Sequence, residues 1–68
     1  MAVCRSCLAL YDKWKTVEGA LEAARSCVAS GNINGARQEY NFAIHTLEAK
    51  GGCSSCIREL IREKDFNT

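Results

Sequence analysis

The sequence predicts a reversal of the chain at Ser30-Gly31-Asn32-Ile33-Asn34-Gly35. Gly31 suits the left-handed backbone conformation that commonly follows a helix end, because glycine has no Cβ to clash there. Asn32 or Asn34 can then cap the next helix with its side-chain oxygen. Helical patterns lie on both sides of this stretch, so we expect an antiparallel helical hairpin that turns here.

Before the turn, apolar residues recur at alternating steps of four and three, as they do along one face of a helix. They are Val3, Cys7, Leu10, Trp14, Val17, Leu21, Ala24 and Val28. This apolar stripe predicts one long helix over residues 3–29, although Gly19 inside it costs about 1 kcal/mol relative to alanine. Thr16 offers an alternative, because it could cap a separate helix beginning at Val17. The stripe keeps its phase through the glycine and favours the unbroken helix.

After the turn, a second stripe predicts a helix over residues 33–50, which Gly51-Gly52 then ends. A shorter helix is expected over residues 53–64. The apolar residues of these two helices are Ile33, Ala36, Tyr40, Ala43, Ile44, Leu47, Ile57, Leu60 and Ile61. The chain has no proline and no alternating strand pattern. We therefore expect an all-α fold, a hairpin plus a short third helix, forming one domain over residues 1–68.

Two Cys-x-x-Cys motifs lie near the two ends of the chain, and they contain Cys4, Cys7, Cys53 and Cys56. From Gly31, the arm to Cys7 is 24 residues long and the arm to Cys53 is 22. At a rise of about 1.5 Å per residue, both motifs reach the same end of the hairpin. Two such pairs can complete a four-sulfur zinc site. The sequence therefore predicts that zinc, held by all four cysteines, staples the fold.

Other readings of these cysteines stay open. Cross-helix disulfides could join Cys4 to Cys56 and Cys7 to Cys53, or all four sulfurs could simply pack as small apolar groups. The chain has five cysteines, and an odd number fits a metal site with one spare thiol better than a closed set of disulfides. At 68 residues, a single core barely outweighs chain entropy, so a staple is expected.

Two further residues with metal-binding side chains lie outside the motifs. Cys27 is expected to be a small, partly buried apolar residue, with an intermolecular thiol contact as the alternative. His45 points away from the second stripe and is expected on the surface. Zinc ligation by His45 in place of one sulfur is the minor alternative.

Composition and motifs exclude several classes of function. The formal net charge of +1 gives no field that would gather nucleic acid. The sequence contains no phosphate-binding glycine loop and no Ser, His and acid set, so we do not expect an enzyme. A thiol redox-responsive protein using its Cys-x-x-Cys pairs is one alternative. An RNA-binding dimer of helical hairpins is another.

A 27-residue first helix would be longer than the 18-residue second helix that covers it. We therefore expect uncovered apolar surface and action through protein–protein contact, as a regulator, adaptor or inhibitor of a larger partner, with a homodimer as one way to cover the surface. The partner-binding residues expected are Tyr11, Trp14, Lys15 and Glu18. The sequence shows neither a secretory apolar segment nor a stretch long enough to span a bilayer, which favours a cytoplasmic protein without membrane contact.

The turn and the start of the second helix resemble part of a tetratricopeptide repeat. The residues that carry the resemblance are Gly31, Asn32, Ile33, Ala36, Tyr40, Ala43 and Ile44. The resemblance implies a helical hairpin packed through small alanines. It covers about 14 residues, and a lone repeat cannot bury its own apolar face, so no peptide-binding residue is inferred from it.

Overall fold

The computed structural model describes residues 3–68, and helices dominate this part of the chain. The elements are α1 (Arg5–Leu8), β1 (Tyr11–Asp12), β2 (Lys15–Thr16), α2 (Val17–Ala29), α3 (Ile33–Lys50) and α4 (Ser54–Asn67). Helices α2 and α3 pack against each other as the expected hairpin, and α4 packs on α3. No helix in residues 3–68 is both long and apolar enough to cross a membrane. The predicted helical fold class is confirmed.

The unbroken helix predicted over residues 3–29 is wrong in its first half. Between α1 and α2 the chain forms a short antiparallel hairpin, in which Tyr11 pairs with Thr16. At its tip, Lys13 has a φ of 59°, a left-handed conformation that a right-handed helix does not contain. Helix α2 therefore begins only at Val17.

The prediction was wrong because the spacing of the apolar residues suits two structures equally: an unbroken helix, and the observed α1, β-hairpin and α2. Val17 is fully buried and Leu10 packs against the core, as the unbroken helix also required. Trp14, which the stripe placed beside them, is 87% exposed. Thr16 caps α2 by accepting a hydrogen bond from the Gly19 N–H at 3.0 Å, and this local signal marks the true helix start.

The central turn forms as the sequence predicted. Gly31 is left-handed, with a φ of 82°. The Asn32 side chain caps α3 by accepting a hydrogen bond from the Gly35 N–H at 3.0 Å. Helix α3 has the predicted bounds, whereas α4 begins one residue later and ends three residues later than the predicted range 53–64.

Small residues let the two long helices approach closely. The alanines in their interface are all fully buried: Ala20, Ala24, Ala36 and Ala43. Larger buried side chains belong to the same core, among them Leu21, Leu47 and Leu60. The resulting core continues to Cys7 and Cys56, so the cysteine end of the hairpin is part of the same packed unit.

A cluster of polar side chains joins α4 to the helical hairpin of α2 and α3. Arg25 in α2 donates two hydrogen bonds of 2.9 Å to the carboxylate of Glu63 in α4. The buried Tyr40 hydroxyl of α3 donates to the same carboxylate at 2.7 Å, and the Asn67 side chain donates to that hydroxyl at 3.2 Å. Burial and the Glu63 carboxylate raise the pKa of Tyr40 to about 12, and the Arg25 hydrogen bonds lower the pKa of Glu63.

Candidate metal centre

The four cysteines of the two motifs meet at one end of the molecule. The Sγ atoms of Cys4, Cys7, Cys53 and Cys56 all lie within 4.8 Å of one another. The two motifs are separated by most of the chain, so the fold brings together ligands that the sequence places far apart. The sequence-based expectation that the motifs meet is confirmed.

The first motif is a single helical turn that the chain closes before it enters the hairpin. Cys4 lies at the N-cap of α1 with extended backbone angles (φ −66°, ψ 155°), and Cys7 lies inside the turn and is buried. The Leu8 N–H donates to the Cys4 carbonyl at 3.0 Å and the Leu10 N–H donates to the Cys7 carbonyl at 3.2 Å. These bonds close the turn that contains both cysteines.

The second motif repeats this local structure at the start of α4. Cys53 is the N-cap, again with extended backbone angles (φ −72°, ψ 146°), and Cys56 is buried in the first turn. Gly51 precedes it in a left-handed conformation, and the Gly52 N–H donates to the Leu47 carbonyl at 2.7 Å. The two glycines therefore make the sharp bend that delivers Cys53 to the site.

The sulfurs lie at contact distance across the two motifs. The Cys4 and Cys56 Sγ atoms are 3.6 Å apart, those of Cys7 and Cys53 are 3.7 Å apart, and those of Cys4 and Cys53 are 3.9 Å apart. All five cysteines of the chain are free thiols in this structure. The arrangement is a compact set of four sulfur ligands able to hold one metal ion.

Backbone N–H groups point at two of the sulfurs in a reciprocal pattern. The Cys4 N–H donates to Cys56 Sγ at 3.4 Å, and the Cys53 N–H donates to Cys7 Sγ at 3.4 Å. Each motif thus supplies a donor to the buried sulfur of the other. Hydrogen bonds to a sulfur favour its thiolate form, which is the form that binds a metal.

The pKa values of the thiols differ systematically within each motif. A backbone hydrogen bond from Cys7 lowers the pKa of Cys4, and the Cys56 thiol lowers the pKa of Cys53 to about 6. Burial raises the pKa of Cys7, and the hydrogen bond with the Cys53 thiol raises the pKa of Cys56 to about 12. The two exposed sulfurs therefore give up their protons more readily than the two buried sulfurs.

The predicted partner-binding residues lie on or beside the hairpin of β1 and β2, called the β-hairpin below, but they do not all share one surface. Tyr11 is 59% exposed and Trp14 is 87% exposed, and Glu18 is exposed in the first turn of α2. Lys15 points the other way: its Nζ is 2.7 Å from Glu39 Oε1 and 5.2 Å from the centre of the Phe42 ring. Lys15 therefore anchors the hairpin to α3.

The remaining metal-binding residue types lie outside the cluster. Cys27 is half-buried near the end of α2, where the Asn32 amide approaches its sulfur at 3.9 Å. His45 is exposed on α3, with Nδ1 3.3 Å from Glu48 Oε1. Neither residue belongs to the cluster of ligands found within residues 3–68.

Two features of the structure were not predicted from the sequence. Phe66 is 88% exposed near the end of α4, beyond the apolar residues from which this helix was predicted. The Lys13 conformation that turns the hairpin also carries no local signal, because lysine rarely adopts a positive φ. Thr16, three residues before Gly19, was the one available sign that the chain is not helical there.

Comparison of the chain with protein-family models, with curated proteins and with solved structures gives no match. The short resemblance to a tetratricopeptide repeat thus does not extend to a family match. Function therefore follows from the chain's own residues and their geometry.

Proposed function

We propose that this protein is a zinc-stapled helical binding module. It acts by presenting the β-hairpin formed by β1 and β2 to a protein partner. The proposal of a zinc site rests on the four cysteine sulfurs, which lie within 4.8 Å of one another at one end of the molecule. The proposal of partner binding is supported by the exposure of two aromatic side chains, Tyr11 and Trp14, on the β-hairpin that follows the first cysteine motif in the chain.

The sulfur geometry fits a single tetrahedral ion. Four sulfurs bound to zinc at about 2.3 Å lie about 3.8 Å from one another around a tetrahedron. The sulfur pairs described above are separated by 3.6, 3.7 and 3.9 Å. An iron–sulfur cluster would place its ligands around two or more irons and spread them further apart. Zinc is the ion that four thiolates in a closed structural site most commonly hold.

The backbone of the β-hairpin is held in place by contacts on both sides. On one side it follows directly from the first cysteine motif, and the Val17 N–H closes it by donating to the Leu10 carbonyl at 2.8 Å. On the other side, Lys15 joins it to Glu39. A backbone that is already held in place loses little conformational freedom when a partner covers its side chains, and tryptophan and tyrosine are common anchors of protein interfaces.

The expectation of a homodimer rested on a longer first helix than the structure contains. It assumed a 27-residue helix longer than its cover, whereas α2 has 13 residues and α3 has 18. The exposed apolar surface is instead concentrated in single side chains such as Trp14 and Phe66. We therefore propose a different protein as the partner, and the roles of regulator, adaptor or inhibitor all fit a module of this kind.

The test is affinity capture with the wild-type protein and two matched variants. Trp14→Ser removes the hairpin aromatic, and Phe66→Ser removes an equally exposed aromatic from α4. We expect Trp14→Ser to lose the captured partner and Phe66→Ser to retain it, while helicity and metal content stay unchanged in both. Retention of the partner by Trp14→Ser would rule out the hairpin as the binding surface.

A further inference from the structure

Each cysteine motif contains one exposed and one buried sulfur ligand. Cys4 and Cys53 are exposed, whereas Cys7 and Cys56 are only 3% and 5% exposed. Oxidants reach an exposed thiolate far more readily than a buried one. The two motifs therefore each offer one sulfur to a reagent from solution and keep the other sulfur behind it.

The structure also selects which sulfurs are partners. Among the contacts between the two motifs, the shortest join Cys4 to Cys56 at 3.6 Å and Cys7 to Cys53 at 3.7 Å, so every sulfur belongs to one pair. The backbone hydrogen bonds from the Cys4 and Cys53 N–H groups select the same two pairs. Each pair contains one exposed and one buried sulfur. The contact between Cys4 and Cys53, at 3.9 Å, is longer and joins two exposed sulfurs.

We infer that Cys4 and Cys53 are sites of oxidation by hydroperoxides, and that the buried Cys56 and Cys7 convert the oxidised sulfurs into two disulfides joining the motifs. This inference rests on the proposed metal site, because its starting state is the metal-bound protein. It adds a modification to that site and specifies the pairing.

The chemistry balances with the hydroperoxide as the oxidant. The Cys4 thiolate attacks the peroxide, so that an S–O bond forms, the O–O bond breaks and a proton is taken up, which gives a sulfenic acid and water or an alcohol. The Cys56 thiolate then attacks the Cys4 sulfur, so that an S–S bond forms, the S–O bond breaks and the oxygen leaves as water after taking up a second proton. Two electrons pass from the two sulfurs to the peroxide. A second hydroperoxide oxidises Cys53, and Cys7 resolves it in the same way.

The consequence is that the staple survives loss of the metal. Disulfide sulfurs are no longer thiolates, so the oxidised site releases its ion. Both new bonds nevertheless tie the first motif to the start of α4. A disulfide within one motif would instead leave the two ends of the chain free to separate.

The experiment uses the Cys27→Ser variant, which leaves only the four thiols of the site. Zinc per chain is measured first, and this tests the proposed function independently of the inference. The protein is then treated with hydrogen peroxide, and its intact mass and tryptic peptides are analysed without reduction. Trypsin cleaves after Arg5, between Cys4 and Cys7, and fragmentation between Ser54 and Ser55 distinguishes Cys53 from Cys56.

We expect the chain to lose the mass of two hydrogen atoms for each disulfide, and to contain the links Cys4–Cys56 and Cys7–Cys53. Zinc should be released, while the far-ultraviolet circular dichroism stays helical and no longer responds to a chelator. Disulfides within a motif, the pairing of Cys4 with Cys53, sulfinic acids in place of disulfides, or no reaction with peroxide would each overturn the inference. Absence of zinc at the start would contradict the proposed function, and the disulfide map would still report the pairing.

Discussion

Gly52 shows how a single residue positions the metal ligands. A Cβ at this position would lie 2.7 Å from Leu47 Cδ2 and 3.1 Å from Leu47 Cα, which are closer than ordinary contacts. The Gly52→Ala variant must therefore push α3 away from the start of α4, where Cys53 lies. We expect a loss of about 1–3 kcal/mol in the free energy of unfolding, measured by urea denaturation of the metal-bound protein. Its affinity for zinc should fall as well.

Gly31→Ala is the matched control for this prediction. Gly31 has a positive φ of 82°, unlike Gly52, and an added Cβ there would have no neighbour within 4 Å. This variant should lose only the cost of a left-handed alanine, about 1 kcal/mol. Its zinc content should stay normal, because the turn lies at the opposite end of the hairpin from the cysteines. A Gly52→Ala variant as stable as Gly31→Ala would contradict the role given to Gly52.

Single residues could be predicted from the sequence where the signal is local. Gly31 and Asn32 act through their own backbone and side chain over one turn, so the residue types suffice to place them. Trp14 could not be placed in this way. Its environment depends on the Lys13 conformation and on the contact between Lys15 and Glu39, which joins residues distant in the sequence.

At the scale of elements, the Tyr40 hydroxyl holds α4 against the helical hairpin of α2 and α3. It donates a hydrogen bond of 2.7 Å to Glu63, which Arg25 also binds. Because the acceptor is a charged group, the bond is worth more than a neutral one. We expect Tyr40→Phe to lower the free energy of unfolding by about 1–3 kcal/mol.

Tyr11→Phe makes the same chemical change at a hydroxyl of the exposed hairpin, where it should have almost no effect. The two variants are compared by thermal and urea unfolding with zinc present. Equal stabilities would show that the polar cluster does not stabilise the packing of α4.

Elements could be predicted from the sequence where an apolar stripe coincides with capping residues. Helix α3 meets both conditions, with Asn32 before it and Gly51 after it, and its bounds are as predicted. The stripe over residues 3–29 lacked such agreement, because Thr16 indicated a helix start inside it. Apolar residues spaced by three and four occur along a helix. In this chain the same spacing also suits the short helix α1 followed by the β-hairpin, an arrangement that packs Leu10 and Val17 in the core. In this chain the cap was the better indicator.

At the scale of the whole molecule, the meeting of the two motifs was predicted from arm lengths that assumed two continuous helices, whereas the first arm consists of the 13-residue α2 and the β-hairpin before it. The meeting itself could be predicted from the sequence, although its geometric cause differs. The exposure of each sulfur could not, since it depends on how α1 and α4 pack on the core. The pattern that results, with Cys7 and Cys56 buried, also determines how metal binding responds to pH.

We expect the affinity for zinc to fall as the pH is lowered. The pKa of Cys56 is raised to about 12 and that of Cys7 is raised by burial, so both keep their protons at neutral pH and must release them to bind the ion. With at least these two protons released, the apparent affinity should fall by at least about 100-fold for each pH unit. Competition with a chromophoric chelator between about pH 6 and pH 8 measures this. An affinity independent of pH would show that the buried sulfurs are not ligands.

Native mass spectrometry of the reduced protein, purified without chelator, tests the metal site most directly. We expect about one zinc ion per chain in the wild type and in Cys27→Ser, and strongly reduced zinc in Cys53→Ser. Removal of the ion from the reduced wild type should also reduce its helicity, because a chain of 68 residues has only a small core to hold it folded. A wild-type protein without metal, or a Cys53→Ser variant that binds zinc as well as Cys27→Ser does, would contradict the central claim.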